Sequence, residues 1–428
     1  MDKKSKAKNK SEQDCAEQVM AGALKRIREA VTEFAIEFFL QFMKRHEAKY
    51  PNLFYSPFVV YSSLAPLMIG AQGKTKTEVA SLLKIECFES DPDILKELCV
   101  LQDIILTANR HYIYYGNYFY IDSSVNCTEQ FINVLRKEFG LKPQVVDFAN
   151  SNPDDIARQI NHDITVATQN AVDEVIIADL IHSSTMFLIA NAAFFRGHWE
   201  RQFDQVDKTS FKFKTIEKFG DKITSTLVPV IMMTAVDNFK YHYSKKTECQ
   251  MLRIPYESSE LVMIVILPDK LLTSVELIKK YDRKTLIDMM GLMKENLICV
   301  SIPKFALDPN HLKIRGTMRK MGATTLFMKG QAQLQGISTT PAVHLERIAH
   351  QSFIIVDEKG TKLKENKKTT TNLQKFQCDH PFLFLIVEEK TNVIVFMGFL
   401  GDPRQTLEVH TEKDLSEVEI AELLRNSQ

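Results

Sequence analysis

Apolar residues in the first part of the chain recur at the spacing of an α-helix. Between residues 27 and 42 they fall at three- and four-residue intervals with Lys, Arg and Glu between them, which predicts a long amphipathic helix with an aromatic face. The apolar residues are Ile27, Val31, Phe34, Ala35, Phe38, Phe39 and Phe42. A second helix is predicted from Pro57, because a proline in the first turn loses no hydrogen bond, and it ends near Gly70. We expect a further helix from Thr75, with Thr75 and Glu78 forming a capping box.

Short β-prone runs, bounded by turn residues, dominate the rest of the chain. The predicted strands are 111–121, 185–195, 225–233, 250–255, 261–267, 297–305, 352–356, 381–387 and 393–400. Helical patterns cover 154–175, 273–292 and 312–321. Because helices come mainly early and strands mainly late, with no internal repeat or linker, the pattern indicates one α+β domain over residues 21–404.

Composition excludes several classes of protein. Lys and Arg together number 54, as do Asp and Glu, so no net charge attracts the chain to nucleic acid or to a membrane. No run of about eighteen apolar residues predicts a transmembrane helix. The seven cysteines are scattered without metal-binding spacing, which favours reduced thiols in the cytoplasm or nucleus. An extracellular protein is the alternative if the start of the sequence is incorrectly assigned.

The two ends of the chain are polar extensions. Residues 1–20 are basic and then polar, without the apolar core of a signal peptide, so we expect a disordered tail. A lysine cluster that binds a partner or directs localisation is the alternative. Residues 405–428 predict an acidic amphipathic helix, which either folds back on the domain or binds a partner.

No motif predicts catalysis. The chain contains no Gly-x-Ser-x-Gly, no His-Glu-x-x-His and no Cys/His metal spacing, so we expect neither an enzyme nor a cofactor or metal site. The segment 70–75, GAQGKT, is similar to a phosphate-binding loop, but Met68 stands where that loop needs a glycine.

A long polar segment, residues 359–377, separates one predicted strand from the two strands of a predicted hairpin. Long loops in compact domains are usually functional or disordered. Six blocks, in order, resemble the serpins, the serine protease inhibitor superfamily: 52–57, 70–75, 160–168, 191–199, 262–269 and 376–386. The resemblance implies three β-sheets surrounded by eight to nine helices, with an exposed reactive-centre-like loop. In that family the loop is a bait for proteases and inserts into a β-sheet after it is cleaved.

The resemblance also implies a polar cluster, the shutter, under the centre of the main sheet. Here it would involve Ser56, Asn191 and His350, whose directed hydrogen bonds can join two strands and release them again. Val59 stands where the family has a second serine, so we expect fewer hydrogen bonds in this cluster.

The loop begins at a hinge that includes Glu358 and Gly360. Counting by twos from Gly360, the residues that would face the core after insertion are Thr361, Leu363, Glu365 and Lys367. The family uses a threonine and then small residues at these positions. Leu363 adds volume, at a cost of about 1–3 kcal/mol, and an unpaired Glu365 or Lys367 costs several kcal/mol.

The position of the scissile bond stays open, because counting from the two ends of the loop gives different answers. The candidates are Thr370, Thr371, Asn372, Leu373, Gln374 and Lys375.

Two functions follow from the sequence. The first is a serpin-fold protein that does not inhibit efficiently by loop insertion and acts through binding. The alternative is a serine-type endopeptidase inhibitor that uses residues 361–377 as bait. We expect a monomer whose partner is a protein, with a serine or cysteine protease as one candidate, and not nucleic acid or a membrane.

Overall fold

The computed structural model describes residues 3–46, 52–86, 94–203, 205–207, 211–219, 222–307, 312, 314–360 and 373–404. The α-helices in this part of the chain are α1 (Lys3–His46), α2 (Pro57–Leu64), α3 (Leu67–Gly70), α4 (Gly73–Leu82), α5 (Ile94–Gln102), α6 (Glu129–Glu138), α7 (Pro153–Ala167), α8 (Ser274–Ile278), α9 (Arg283–Gly291) and α10 (Ile314–Lys320). None of these described helices is long and apolar enough to cross a membrane.

The strands are β1 (Leu53–Tyr55), β2 (Ile113–Asp122), β3 (Gln144–Val146), β4 (Phe187–Phe195), β5 (Gln205–Asp207), β6 (Lys212–Phe219), β7 (Lys222–Pro229), β8 (Met232–Ser244), β9 (Cys249–Pro255), β10 (Leu261–Pro268), β11 (Lys294–Pro303), β12 (Phe305–Leu307), β13 (Arg347–Val356), β14 (Gln374–Gln377), β15 (Phe382–Glu388) and β16 (Val393–Leu400). They form three sheets. The nine-stranded sheet has the order β1-β16-β15-β10-β9-β8-β11-β14, with β5 beside β8. The five-stranded sheet has the order β12-β13-β4-β2-β3, and β6 pairs with β7. The predicted α+β class with three sheets is confirmed.

Strands β4 and β13 lie side by side in the five-stranded sheet. They run parallel, with residues 188–195 of β4 paired to residues 347–354 of β13. Every residue of β4 is buried, because one face of the sheet packs on the main core and the other packs beneath α7. Burial on both faces explains why β4 reads as a continuous run, FLIANAAFF, without alternation.

The predicted aromatic face of α1 is buried in the main core. Phe34, Phe38 and Phe42 have no exposed surface. The Phe34 ring meets Tyr61 edge-on, and the Phe38 ring centroid lies 5.1 Å from that of Tyr55. These contacts fix α1 against α2 and β1.

Helix α1 includes the first described residues of the chain. Helix α1 begins at Lys3 and continues without interruption to His46. Its first part is rich in Lys, Ala, Glu and Gln, and no Gly or Pro precedes Gly22, so local propensity favours the helix. The C-terminal extension, 405–428, lies outside the described residues.

The capping box predicted at Thr75 is wrong. Helix α4 begins earlier, at Gly73, and the Thr75 hydroxyl instead bonds the Thr325 hydroxyl at 2.8 Å. The Glu78 carboxylate accepts hydrogen bonds from the backbone N–H groups of Thr324 and Thr325, at 2.8 and 2.7 Å. Both side chains therefore stabilise a turn that is remote in sequence.

Four other predicted elements are each divided in the structure: the helix from Pro57 forms α2 and α3, and the strand 297–305 forms the end of β11 and the start of β12. The helical pattern 273–292 forms α8 and α9, because the Asp282 carboxylate caps a new helix by accepting from the Thr285 N–H at 2.7 Å. A capping box does occur here, between Thr273 and Glu276 at the start of α8. The predicted strand 225–233 is the end of β7 and the beginning of β8.

Candidate functional site

A buried polar cluster joins α2, β4 and β13. The polar cluster consists of Ser56, Ser63, Asn191, His350 and Ser352, each at most 1% exposed. Asn191 and His350 are direct partners in the register of β4 and β13. The structure therefore brings together the three residues that the resemblance assigns to the shutter.

Ser56 connects the polar cluster to two other elements. It is the N-cap of α2, and its Oγ accepts from the Val59 N–H at 3.1 Å. The same hydroxyl donates to the Val395 carbonyl of β16 at 2.7 Å. The Ser56 N–H donates to His350 Nε2 at 3.1 Å. A single residue thus links α2, β13 and the nine-stranded sheet.

These hydrogen bonds fix the proton on His350. Since Nε2 accepts from the Ser56 N–H, and also lies 3.1 Å from the Ser352 hydroxyl, the ring proton belongs on Nδ1. Nδ1 then donates to Asn191 Oδ1. The Asn191 amide donates in turn to Ser63 Oγ at 3.1 Å. The chain of hydrogen bonds is complete only with a neutral imidazole.

Burial in the core lowers the pKa of His350 to about 3. In the neutral ring, the Nε2 lone pair accepts the hydrogen bond from the Ser56 N–H. Protonation of Nε2 would replace this acceptor with a second N–H, so that two donors would face each other. His350 is therefore neutral at physiological pH.

Sequence reasoning missed Ser63 and Ser352. Ser63 lies seven residues after Ser56, on the same side of α2, and Ser352 lies two residues after His350, on the same face of β13. Both spacings were readable in the sequence. The side chain of Val59 adds no hydrogen bond, as expected, but Ser63 lies one turn further on and bonds Asn191.

The hinge of the long loop is held by Trp199. The indole Nε1–H donates to the Asp357 carbonyl at 2.6 Å, and the Trp199 N–H donates to the Lys359 carbonyl at 3.0 Å. The indole stacks on Tyr256, with ring centroids 4.6 Å apart. Aromatic packing and directed hydrogen bonds together hold the chain where β13 ends.

Glu358 and Gly360, the two predicted hinge residues that the structure describes, are both in contact with this region. The Glu358 carboxylate lies 3.2 Å from Lys304 Nζ, and its carbonyl accepts from the Phe203 N–H at 3.2 Å. Gly360 pairs with Trp199, and a Cβ atom there would lie 2.6 Å from the Trp199 carbonyl oxygen. Only glycine allows this close approach of the two backbones.

The remaining loop positions fall into two groups. Those that lie outside the described residues are Thr361, Leu363, Glu365, Lys367, Thr370, Thr371 and Asn372. Leu373 is half-buried just before β14. Gln374 and Lys375 are exposed but belong to β14, where they pair with Ile298 and Cys299 of β11. Their backbone is therefore part of a sheet rather than of a free loop.

Any strand that enters the five-stranded sheet between β4 and β13 must break a parallel ladder. The core-facing residues on the two sides are Ile189, Asn191, Ala193, Phe195, Ile348, His350, Ser352 and Ile354, each at most 2% exposed. None of these residues carries a charge, because His350 is neutral. The polar cluster is the point where the two strands are joined through side chains.

Comparison with known proteins identifies the family. A family model described as serpin (serine protease inhibitor) matches residues 29–403. The leukocyte elastase inhibitor of Homo sapiens is 26% identical over 395 residues, covering 89% of this chain and 100% of that protein. Serpin B10 of Sorex araneus is 26% identical over 402 residues, covering 87% of this chain and 98% of that protein.

Solved structures have the same fold. A tumour suppressing serpin, 22% identical, superposes with a TM-score of 0.76 over 89% of this chain and 100% of its own. Native protease nexin-1 with heparin, 23% identical, superposes with a TM-score of 0.75 over 89% of this chain and 100% of its own. The three-sheet topology, the family model over residues 29–403 and these superpositions all indicate the same fold. The chain belongs to the serpin family.

Proposed function

We propose that this serpin acts by binding a protein partner and does not trap proteases efficiently through loop insertion. One observation carries the proposal. The layer between β4 and β13 that an inserted strand would enter is buried and uncharged, whereas the loop sequence would place Leu363, Glu365 and Lys367 there.

The cost of insertion follows from that layer. No cation among the core-facing residues of β4 and β13 would neutralise Glu365, and no anion there would neutralise Lys367. Each ion left unpaired in such a layer costs several kcal/mol even after relaxation. Leu363 adds about 1–3 kcal/mol where the packing is already dense. Thr361 alone fits.

The alternative is a serine-type endopeptidase inhibitor, with a serine or cysteine protease as its partner. The hinge favours this alternative, because β13 leads to Gly360 at the end of the sheet, as a bait loop requires. The name of the elastase inhibitor relative points the same way. In either case a protease would have to cut before β14, since a paired strand does not enter a protease cleft.

Nicking the loop tests the proposal. Brief digestion with subtilisin, whose broad specificity does not depend on one loop side chain, gives nicked protein, and mass spectrometry locates the cut. We expect the nicked and intact forms to melt at the same temperature. A large rise in melting temperature after the cut, or an SDS-stable complex with any serine or cysteine protease, would contradict the proposal.

Two double variants test whether the burial of charge is what prevents insertion of the loop. The double variant Glu365→Ala/Lys367→Ala removes two inward-facing charges, so its nicked form should melt at a higher temperature than its intact form. The control Lys364→Ala/Lys368→Ala removes two charged side chains from outward-facing positions and should leave the two melting temperatures equal. Equal behaviour of the two double variants would exclude the burial of charge as the cause.

We further propose that the protein works as a monomer inside the cell. The described cysteines Cys99, Cys127, Cys249, Cys299 and Cys378 are all free, which suits a reducing compartment. Fractionation of cells that make the full chain tests the location. Analytical ultracentrifugation tests the monomer, and recovery in the secreted fraction or sedimentation as a dimer would contradict these two statements.

A further inference from the structure

A cationic cavity of about 620 Å³ opens beside the polar cluster. It lies between the end of α1, helix α10 and the start of β13, and His350 forms part of its wall. Five cationic side chains line it: Arg45, Arg315, Arg319, Lys320 and Arg347. No Asp or Glu is among the described residues of its lining.

Among the described residues, only one of these cations, Arg315, forms an ion pair with a carboxylate. Arg315 donates to the Glu346 carboxylate at 3.0 Å and to the Phe327 carbonyl at 3.0 Å. Within the part of the chain that the structure describes, the other four form no ion pair with protein carboxylates. Like charges gathered around one concave space repel each other, so the cavity favours a bound anion.

Arg347 has an unsatisfied donor in this wall. Its Nε is buried and has no hydrogen-bond partner among the described residues. Burial also lowers the pKa of Arg347, although Glu346 acts in the opposite direction. A buried donor without a partner is uncommon in native proteins.

Gly316 makes room for a second guanidinium at the cavity. A methyl group at this position of α10 would overlap the end of the Arg45 side chain. Glycine inside a helix costs about 1 kcal/mol relative to alanine, so its presence here needs a packing reason. The end of the Arg45 side chain occupies the space that a larger residue at this position would fill.

Part of the cavity lining is apolar. Val175, Leu180 and Ile348 contribute to it, together with Leu312 and Ile314. A cavity of this size suits a small organic molecule, and guanidinium groups match the oxygen geometry of phosphate. We propose that the cavity binds an organic phosphate, with the phosphate dianion among Arg45, Arg347, Arg319 and Lys320 and an apolar body against the apolar wall. The lining includes residues 347–350 of β13, so this site belongs to the state in which β13 is paired with β4.

Calorimetry on the full chain tests the site, with phenyl phosphate as the probe. We expect one saturable site and a rise in melting temperature with the probe. Inorganic phosphate should bind more weakly because it lacks the apolar body, and phenol should not bind at all. Hydrogen bonds to charged groups are strong enough that Arg347→Gln or Arg45→Gln should weaken binding by about tenfold or more.

Two controls separate the site from general charge effects. Arg158→Gln removes an exposed guanidinium on α7, paired with Asp155, and should leave the affinity unchanged. Gly316→Ala should weaken binding by displacing Arg45 while keeping every charge. Absence of saturable binding at millimolar concentrations, or equal losses in Arg347→Gln and Arg158→Gln, would overturn the proposal. Equal affinity for phenyl phosphate and inorganic phosphate would overturn the role of the apolar wall.

Discussion

Mild acid should destabilise this serpin through one buried histidine. In the folded chain burial lowers the pKa of His350 to about 3, and its Nε2 accepts a hydrogen bond from the Ser56 N–H. In the unfolded chain the imidazole is free in water, where its pKa is about 6.5. The perturbation is a change of buffer from about pH 7.5 to about pH 5.

The sign and size of the effect follow from those two pKa values. Between pH 6.5 and pH 3 the unfolded state binds a proton that the folded state does not, so stability falls as the pH falls through this window. At about pH 5 the loss is about 2 kcal/mol, and above the unfolded pKa it is negligible. Glu346 contributes little to the change between these two pH values. Its hydrogen bond with His344 lowers its pKa to about 2, so the stability that depends on its charge is lost only at more acidic pH.

Urea unfolding at the two pH values measures the effect, in the native sequence and in His350→Asn. At both pH values we expect His350→Asn to be less stable than the native protein, because it loses part of the polar cluster. Its unfolded state, however, has no imidazole at this position that could bind a proton. Its stability should therefore fall by about 2 kcal/mol less than that of the native protein between the two buffers.

A second histidine provides the control. His162 is exposed on α7, so His162→Asn should retain the pH dependence of the native protein. If His350→Asn loses as much stability in acid as the native protein does, the buried neutral imidazole is not the cause and the reasoning fails.

Three further substitutions probe close contacts. Gly360→Ala brings a methyl group against the Trp199 carbonyl, so we expect a loss of about 1–3 kcal/mol in urea unfolding and faster proteolysis at the hinge. Gly398→Ala overlaps the Phe384 ring in the core and should lower the stability by at least as much or reduce the soluble yield. Glu78→Gln removes the charge from an acceptor of two backbone N–H groups, and chemical denaturation should show a loss of about 1–3 kcal/mol.

Much of this fold could be predicted because the relevant signals are local. The aromatic face of α1 and the β15–β16 hairpin depend on periodicity and on turn residues, which the sequence displays directly. The error at Thr75 has the opposite cause. Its spacing to Glu78 has the form of a capping box, but both side chains bond a turn near Thr325, and no local pattern reveals a contact across about 250 residues.

The candidate sites divide in the same way. Ser56, Asn191 and His350 came from the family resemblance, and the hydrogen-bond roles of Ser63 and Ser352 needed coordinates. The cationic cavity could not be predicted at all, because Arg45 and Arg347 come from opposite ends of the chain. Arg45 stands in a short basic run with Lys44 and His46, but no local pattern connects it to Arg347.

Strand β14 has a consequence for how copies of this protein behave together. Among the described residues it is the last strand of the nine-stranded sheet, and it covers residues 298–301 of β11. If β14 detached, those backbone N–H and C=O groups would become an open sheet edge, which templates pairing with another chain. Four residues at the far end of the loop therefore keep this part of β11 paired, and we expect self-association on heating to increase if they detach.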